Sequence, residues 1–565
     1  MTIGTLAYKE IKTFKGATDD NGFNQYNNIL RIDKYLRGEY WNCSDPTALF
    51  WQLATPRVPL YAKSIDADTK NFEMIGIGKF NWFKAFLLNV KFKQWARRER
   101  LALTLDDTSD GIATYGSMVW KKCFAADGEV SLEVVSLQNI FFDQSVKNIV
   151  DSPVIELHYM SEMEVRRRYP DLATEIIKKA KKGKEDKENE TDEEERKIEV
   201  VERWGEYKEE DDDKVVYMHS ITAGSGDNEV VMVEDEVKTD KAGKPKDFPY
   251  YDFHGERVPR RWQGMGVVER LYKLQEQINA LVNQNSDAND IASLLLLTTN
   301  DPETQGNVLD SARTGQIINT QDMQQLGIDN RFISTFINQM ALIEKKADDL
   351  CYINDSISGD TPPSGVPFRS LAVATKAAAS TFKYIKTGII EKMGYILQED
   401  IMPDVVKGFN RDDVIDVMEG DGDLRLYDQT IIDMELREFL KGKEVVFEED
   451  IAAKKVEIQE RLIREGRQHP TPGKYFDFKW GIYMNPTGES VDKNTQNAAI
   501  DGAIQDMSAN PAVVNTPLYQ QKLANNGIPA FRLTPEEQAA LGNTAGVKLP
   551  EAPQVDKLSQ LAETA

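Results

Sequence analysis

Along two stretches of this chain, apolar residues recur at alternating steps of four and three. Val267, Leu271, Leu274, Ile278 and Leu281 fall on one face of a helix expected over Gly266–Asn285, with Gln275, Glu276, Asn279 and Gln284 elsewhere on its surface. Phe336, Met340, Ile343, Ala347 and Leu350 repeat the spacing and predict a second helix over Phe332–Leu350. Ordinary core helices share this period, so the segments around the two helices carry the distinction. Between them, Leu294-Leu295-Leu296-Leu297 with Thr298-Thr299 reads as a short strand and Gln316-Ile317-Ile318-Asn319 as another, with turns at Asp301-Pro302, Gly306 and Gly315. An insert of this size cannot bury a core of its own. It is expected to pack on something else, for which a neighbouring subunit is the natural candidate. Its leucine run is too short to span a membrane.

Downstream, Tyr352–Phe368 holds Gly359, Pro362, Pro363, Gly365 and Pro367 and predicts an irregular loop. Arg369–Phe409 then reads as helix almost throughout, about 60 Å if continuous. Ala372, Ala374, Ala377, Ala378, Ala379 and Ser380 present small side chains that permit close helix approach. Gly388 and Gly394 are candidate bends, and Pro403 a kink or stop.

Upstream, Lys84–Arg100 predicts a helix with Lys84, Lys91, Lys93, Arg97, Arg98 and Arg100, either a solvated face or a contact for DNA or an acidic neighbour. From Gly111 to Val150 the pattern turns to strands, with a hairpin of Ser117–Phe124 and Val130–Leu137. Ser161–Ala180 reads as helix opened by a Ser161…Glu164 capping box, and the mixed-charge run Lys178–Lys197 as its extension or a mobile loop. Strands return over Ile198–Tyr207 and Val215–Val237, with a turn at Gly224-Ser225-Gly226-Asp227. Asp247–Tyr251 leads into the first long helix. Past residue 410, Lys443–Gln468 and Thr495–Met507 read as helical and Tyr475–Met484 as strand. Beyond Ala509 a Pro/Asn/Gln/Ala-rich tail is expected.

With 565 residues the chain has room for several domains, and 41% hydrophobic residues allow a substantial core. There are 93 acidic against 69 basic residues, a formal charge of −24. That balance argues against tight, static nucleic-acid binding, which uses a basic surface. Cys43, Cys123 and Cys351 are far apart and suggest neither a zinc site nor a disulfide framework. Met1–Gly16 lacks the apolar run of a signal peptide, and no segment reaches transmembrane length.

Enzyme motifs fail one at a time. There is no phosphate loop of the Gly-x-x-x-x-Gly-Lys-Ser/Thr kind. Gly264-Met265-Gly266 opens like a dinucleotide fingerprint but lacks its third glycine and the preceding strand. Ala223-Gly224-Ser225-Gly226 lacks the first glycine of a nucleophile elbow. His158, His219, His254 and His469 form no paired zinc motif, and Asp66-x-Asp68 fails as a calcium loop. Asp421 and Asp423 could bind a divalent ion, but read first as an exposed acidic turn. No catalytic, cofactor or metal residues are therefore assigned, although a fold can gather distant side chains.

The order of elements, with several local patterns, resembles the portal (head-to-tail connector) proteins of tailed double-stranded DNA phages. Asn28–Glu39 is similar to the family's N-terminal "Tyr…Gly" helix end. Asp110–Ser117 is similar to its "Tyr-Gly" strand entry, and Leu137–Asp143 to its "Pro-x-x-Phe-x-Asp" segment without the proline. Gly264-Met265-Gly266 followed by Val267–Asn279 looks most like the family, where a Gly-x-Gly turn opens a stem helix. The likeness covers roughly residues 25–410.

It implies a helix-rich α+β subunit. Residues 1–260 would be the wing or body, 261–290 the first stem helix, 291–330 the clip and 331–351 the second stem helix. Residues 352–368 would be the channel loop, 369–410 the long wing helix, 411–510 a wing return and helical crown, and 511–565 the tail. Leu271, Leu274, Ile278, Phe336, Met340 and Ile343 would line the stem. Leu294, Leu295, Leu296, Ile317 and Ile318 would form the clip's docking face. Ser358, Pro362, Ser364, Phe368, Arg369, Lys383 and Lys386 would face DNA. The implied function is a homododecameric ring at the unique capsid vertex, without cofactor or catalysis. It passes double-stranded DNA without sequence specificity during packaging and ejection. Its partners would be the terminase motor, head-tail adaptor and tail proteins, and major capsid and scaffolding proteins, with no membrane. Assembly in the host cytoplasm and residence in the virion follow. The alternatives are another virion structural or adaptor protein, or a metal-dependent nucleic-acid-processing enzyme with a dispersed site.

Overall fold

The computed structural model describes residues 2–19, 22–43, 45, 47–67, 72–76, 82–125, 128–185, 197–208, 215–241, 243–293, 297–298, 324–325, 331–353, 368–407, 409, 421–440, 448–465, 476, 480–484 and 502. They form a mixed α+β fold. In chain order it begins with helices α1 (Ile3–Gly16), α2 (Gln25–Leu36) and α3 (Arg57–Ile65), strand β1 (Phe72–Gly76), and helices α4 (Trp82–Arg98) and α5 (Leu101–Tyr115). Strands β2 (Ser117–Phe124), β3 (Val130–Val135), β4 (Ile140–Phe141) and β5 (Val154–Met160) follow. Then come helices α6 (Glu162–Arg168) and α7 (Ala173–Glu185) and strands β6 (Ile198–Lys208), β7 (Val215–Ala223), β8 (Val230–Glu236) and β9 (Tyr250–His254). The remainder is α8 (Val267–Arg270), α9 (Tyr272–Ser293), β10 (Leu297–Thr298), β11 (Gln324–Gln325), α10 (Arg331–Leu350), α11 (Phe368–Ile396), α12 (Met402–Val405), α13 (Asp421–Leu440), α14 (Glu448–Glu465) and β12 (Trp480–Met484).

The chain divides into two compact units, Met1–Ala67 with Glu99–Met393, and Asp68–Arg98 with Gly394–Ala565. The first is built on an antiparallel sheet in the order β4-β5-β6-β7-β8. Period-two alternation gives the sheet two buried faces. Ile155, Leu157 and Val201 pack under Ala7 and Ile11 of α1. Met160 and Val200, on the opposite face, pack against Val165, Ala173, Ile176 and Ile177 of α6 and α7. Arg203 points to the α1 side and forks onto Glu10 at 2.8 and 2.9 Å. A second sheet, β3-β2-β9, lies beside α5. There the indole of the fully buried Trp120 donates to Thr108 Oγ1 at 2.6 Å.

In the second unit β1 pairs with β12, and Asn89 of α4 clasps Met74, bonding its N–H and its carbonyl at 2.7 Å each. Leu87, Phe409, Tyr427, Ile431, Ile432, Ile458 and Leu462 form the core. The basic helix α4 divides its charges: Lys84 reaches Met434 Sδ and Lys91 lies over the Phe409 ring, while Lys93, Arg97 and Arg98 stay exposed.

Several expectations need correction. Gly111–Tyr115 completes helix α5 rather than starting a strand, and Gly116 (φ +82°) ends that helix. Ser161 caps Glu164 N at 3.2 Å as expected, but the helix stops at Arg168. Pro170 forces Tyr169 out of helical geometry, and a new helix begins at Ala173. Tyr250 and Tyr251 lie in strand β9, paired with Lys121 and Trp120, not in a lead-in to the helix. The first long helix kinks at Leu271 (φ −93°, ψ 0°), whose N–H is shared by the carbonyls of Val267 and Val268. Asp421 opens helix α13 instead of sitting in an acidic turn. Strand β10 pairs with Gln324–Gln325. Helix α11 is unbroken at Gly388 and Gly394. It then widens into a π turn at Leu397–Ile401, where Met402 N–H bonds Leu397 O five residues back. Pro403 supplies the cause, since it has no N–H for the Glu399 carbonyl and its ring crowds that carbonyl.

Candidate functional site

Two glycine motifs far apart in sequence meet at the root of the helix pair. A Cβ on Gly264 would stand 2.4 Å from Gly116 O, one on Gly266 2.2 Å from Thr114 O, and one on Gly116 2.4 Å from Gly264 C. The neighbours are backbone, so the end of α5 and the start of α8 approach as only glycine permits. Gln263 Nε2 donates to Tyr115 O at 2.9 Å and Gly264 N–H to Ser117 Oγ at 2.7 Å, fastening the joint.

From this joint α9 leaves, and α10 returns to it. Arg270 Nη1 donates to Leu350 O at 2.9 Å, and its Nη2 pairs with Glu256 at 2.6 Å. Arg57 holds Asp348 at 2.8 Å and Arg31 holds Glu276 at 2.6 Å. The chain thus goes out along α9 and back along α10 as an antiparallel pair. Its seam is graded. Leu271, Ile278, Ile343 and Ala347 are buried, whereas Leu274, Phe336 and Met340 are half-buried. Ile337 and Leu342 of α10 are 58% and 69% exposed.

The polar face of α9 was not expected to be buried, yet Gln275 and Asn279 are. Leu49, Trp51 and Leu53 donate their N–H groups to Asn283 Oδ1 (2.8 Å), Asn279 Oδ1 (2.9 Å) and Gln275 Oε1 (3.0 Å). Gln275 Nε2 returns a bond to Trp51 O, and Asn283 Nδ2 one to Leu49 O at 3.0 Å. The match is geometric. Four helix residues rise about 6 Å and two extended residues span about 6.6 Å, so amides at i, i+4 and i+8 meet every second backbone group of a strap. Asn279→Ala is expected to cost about 1–3 kcal/mol through its orphaned backbone donor. Amide exchange at Leu49, Trp51 and Leu53 should rise selectively. Unchanged exchange there would show that other contacts hold the strap.

Of the residues expected to face DNA, Lys383 is exposed, whereas Lys386 is half-buried and acts on the Asp66 carboxyl. Phe368 and Arg369 begin α11, but their side chains lie outside the described residues. Ser358, Pro362, Ser364, Leu294, Leu295, Leu296, Ile317 and Ile318 also lie outside them.

The fold gathers two polar clusters that no local motif announces. In the first, Lys121 Nζ stands 2.7 Å from Glu156 Oε2 and 2.6 Å from Glu202 Oε2. Tyr250 OH donates to Glu156 Oε2 at 2.9 Å and Trp204 Nε1 to Glu202 Oε1 at 2.9 Å. His158 Nε2 and His219 Nε2 lie 3.1 and 3.4 Å from Glu202. Burial opposes the charges, but Glu202 and Glu156 together hold the Lys121 ammonium above its ordinary pKa. The two imidazoles and Lys121 overcome burial to hold Glu202 well below the carboxylate range. Glu156, His158 and Glu202 offer ligand atoms within 4.8 Å of one another, a grouping a divalent ion could use. A metal would need the same oxygens that Lys121 engages, so the ammonium already serves as the cation. The second cluster aligns Ser117, His254 and Asp252 in the manner of a nucleophilic triad, but Ser117 is fully buried and the side chains of His254 and Asp252 are only 3% and 6% exposed, beside the glycine joint. Burial pushes the Cys123 and Cys351 thiols up to about 12, away from nucleophilic use.

Among the described residues, no helix is long and apolar enough to cross a membrane. In comparisons with known proteins, no family model and no curated protein matches the chain.

Proposed function

We propose that the chain is a portal-type subunit. Copies would stand around a hole and form a ring at a capsid vertex through which double-stranded DNA is packaged and ejected. The observation that carries this reading is the helix pair rooted on the glycine joint. It leaves an α+β body, returns to it, and exposes Ile337 and Leu342 beside a half-open seam. A neighbouring copy would cover these two side chains and the half-buried Leu274, Phe336 and Met340 between the helices. The long helix α11 after the pair, and the order of the motifs, agree with the resemblance. The ring would dock the terminase motor and tail adaptors in turn and act without catalysis. The ammonium of Lys121 between Glu156 and Glu202, and that of Lys392 on Asp252, favour this over a metal-dependent nuclease.

Negative-stain microscopy and mass photometry of the purified protein test the proposal. Wild type should form hollow rings, and the double variant Ile337→Asp, Leu342→Asp should fall to single subunits with unchanged circular dichroism. A wild-type protein that stays monomeric, or rings that survive both charges, would overturn it.

A further inference from the structure

The hydrogen-bond roles around His254 are forced by its neighbours. The Asp252 carboxylate can only accept, so His254 Nε2, 3.1 Å from Asp252 Oδ2, carries a proton. Ser117, the cross-strand neighbour of His254, accepts Gly264 N–H at 2.7 Å. Its own hydroxyl proton is left for His254 Nδ1, 2.8 Å away. Asp252 also accepts from Trp262 Nε1 at 3.0 Å and from Lys392 Nζ of helix α11. Donors therefore converge on Asp252 from both ends: Gly264 through Ser117 and His254 from the turn that leads into α8, and Lys392 from the long helix.

This arrangement has no place for a second proton on His254. A protonated Nδ1 would become a donor facing Ser117, whose hydroxyl hydrogen would lose its acceptor in a buried site. The charges also forbid it. Asp252 carries one negative charge, which Lys392 already matches. Arg257 adds a further positive field, and Asp252, Arg257 and Lys392 are the charged groups acting on the ring, with the Trp262 indole edge-on at 5.1 Å. Burial, helped by Arg257 and Lys392, outweighs Asp252 and holds the His254 pKa below its ordinary 6.5.

We propose that this arrangement is a proton-operated latch: with His254 neutral it ties the root of the helix pair to helix α11 through Ser117 and Asp252, and a proton on His254 leaves the buried Ser117 hydroxyl without an acceptor and so loosens its hold on Gly264. The sign follows from linkage. An opened latch exposes an imidazole of ordinary pKa, so opening is favoured progressively as pH falls below 6.5. The device belongs to a single subunit and does not depend on ring formation.

Deuterium exchange at the imidazole C2 carbon, read by mass spectrometry, reports the titration midpoint of each histidine whatever the size of the assembly. In wild type the His254 midpoint should lie below 6.5. Lys392→Met should raise it by about one unit, a tenfold gain in proton affinity, and Lys392→Arg, which keeps the cation, should leave it in place. Backbone amide exchange over Gly264–Arg270, corrected for its intrinsic pH dependence, should accelerate with the same midpoint as His254. A wild-type midpoint at or above 6.5 overturns the latch. So does a Lys392→Met protein with an unmoved midpoint, or amides at 264–270 that ignore the titration.

Discussion

Gly264→Ala is expected to abolish accumulation of folded protein. The added Cβ would sit 2.4 Å from Gly116 O and 2.8 Å from Glu256 O, where only backbone can give way. Moving either carbonyl breaks a bond that closes the joint: Gly255 N–H to Gly116 O at 3.0 Å, or Met265 N–H to Glu256 O at 2.9 Å. Overpacking of about 1–3 kcal/mol plus one or two lost hydrogen bonds of about 1–3 kcal/mol each when the partners stay buried totals about 2–9 kcal/mol. That is comparable with the whole net stability of a domain, about 5–15 kcal/mol. Gly116→Ala should be as damaging, because its backbone also holds φ at +82°. Gly388→Ala is the control: its Cβ meets nothing within 4 Å inside helix α11, so a gain of about 0.5–1 kcal/mol is expected. Soluble yield and thermal melting of the three variants decide it. A Gly264→Ala protein that melts with wild type would mean that the two glycine motifs do not interlock.

That joint marks where the sequence stops being legible. Each half was visible as a motif, Tyr115-Gly116-Ser117 and Gly264-Met265-Gly266, but nothing local says that residues 116 and 264 touch. Local periodicity served well where one face meets one core. The β2–β3 hairpin, helices α4, α10 and α14, strand β12 and the Ser161 cap all stand close to their expected positions. It misled where a polar face is buried. Gln275 and Asn279 read only as lying off the apolar face, and Asn283 drew no reading, because a hydrophobic pattern cannot show that a strap of backbone docks on their amides. Their i, i+4, i+8 spacing was nonetheless there to be noticed. Glu156, His158 and Glu202 sit at inward positions of alternating strands, and only the register, Glu156 opposite Glu202, brings them under Lys121. Strand β9 was missed because its partner β2 lies more than a hundred residues earlier in the chain. The expected clip strand at Gln316–Asn319 and most of the channel loop lie outside the described residues.

Lys121→Met is expected to cost about 3–5 kcal/mol at neutral pH, the usual loss when one partner of a buried ion pair is removed. Glu156 and Glu202 would then face one another with side chains only 11% and 9% exposed. The pH dependence is the sharper signature. In wild type, Glu202 lies well below its ordinary 4.5, so its contribution is complete above 4.5 and disappears as pH falls through its lowered folded value. Lys121 lies above 10.5, so its contribution is complete below 10.5 and disappears as pH rises through its raised folded value. Acid therefore weakens wild type through this cluster. Without Lys121 the sign inverts: burial and mutual repulsion raise a carboxylate pKa, and protonation relieves the strain. Lys121→Met should become more stable between pH 7 and pH 5, where wild type stays flat or declines. Urea unfolding followed by tryptophan fluorescence measures this, since Trp120 and Trp204 lie in the two sheets that the cluster joins. Lys121→Met with Glu202→Gln removes the cation together with one anion, leaving Glu156 with the Tyr250 hydroxyl and His158. It should recover a large part of the loss as a coupling energy. Strictly additive costs would show that the lysine and the two carboxylates are not held as one balanced group. The cation position between Glu156 and Glu202 would then again be open to a metal.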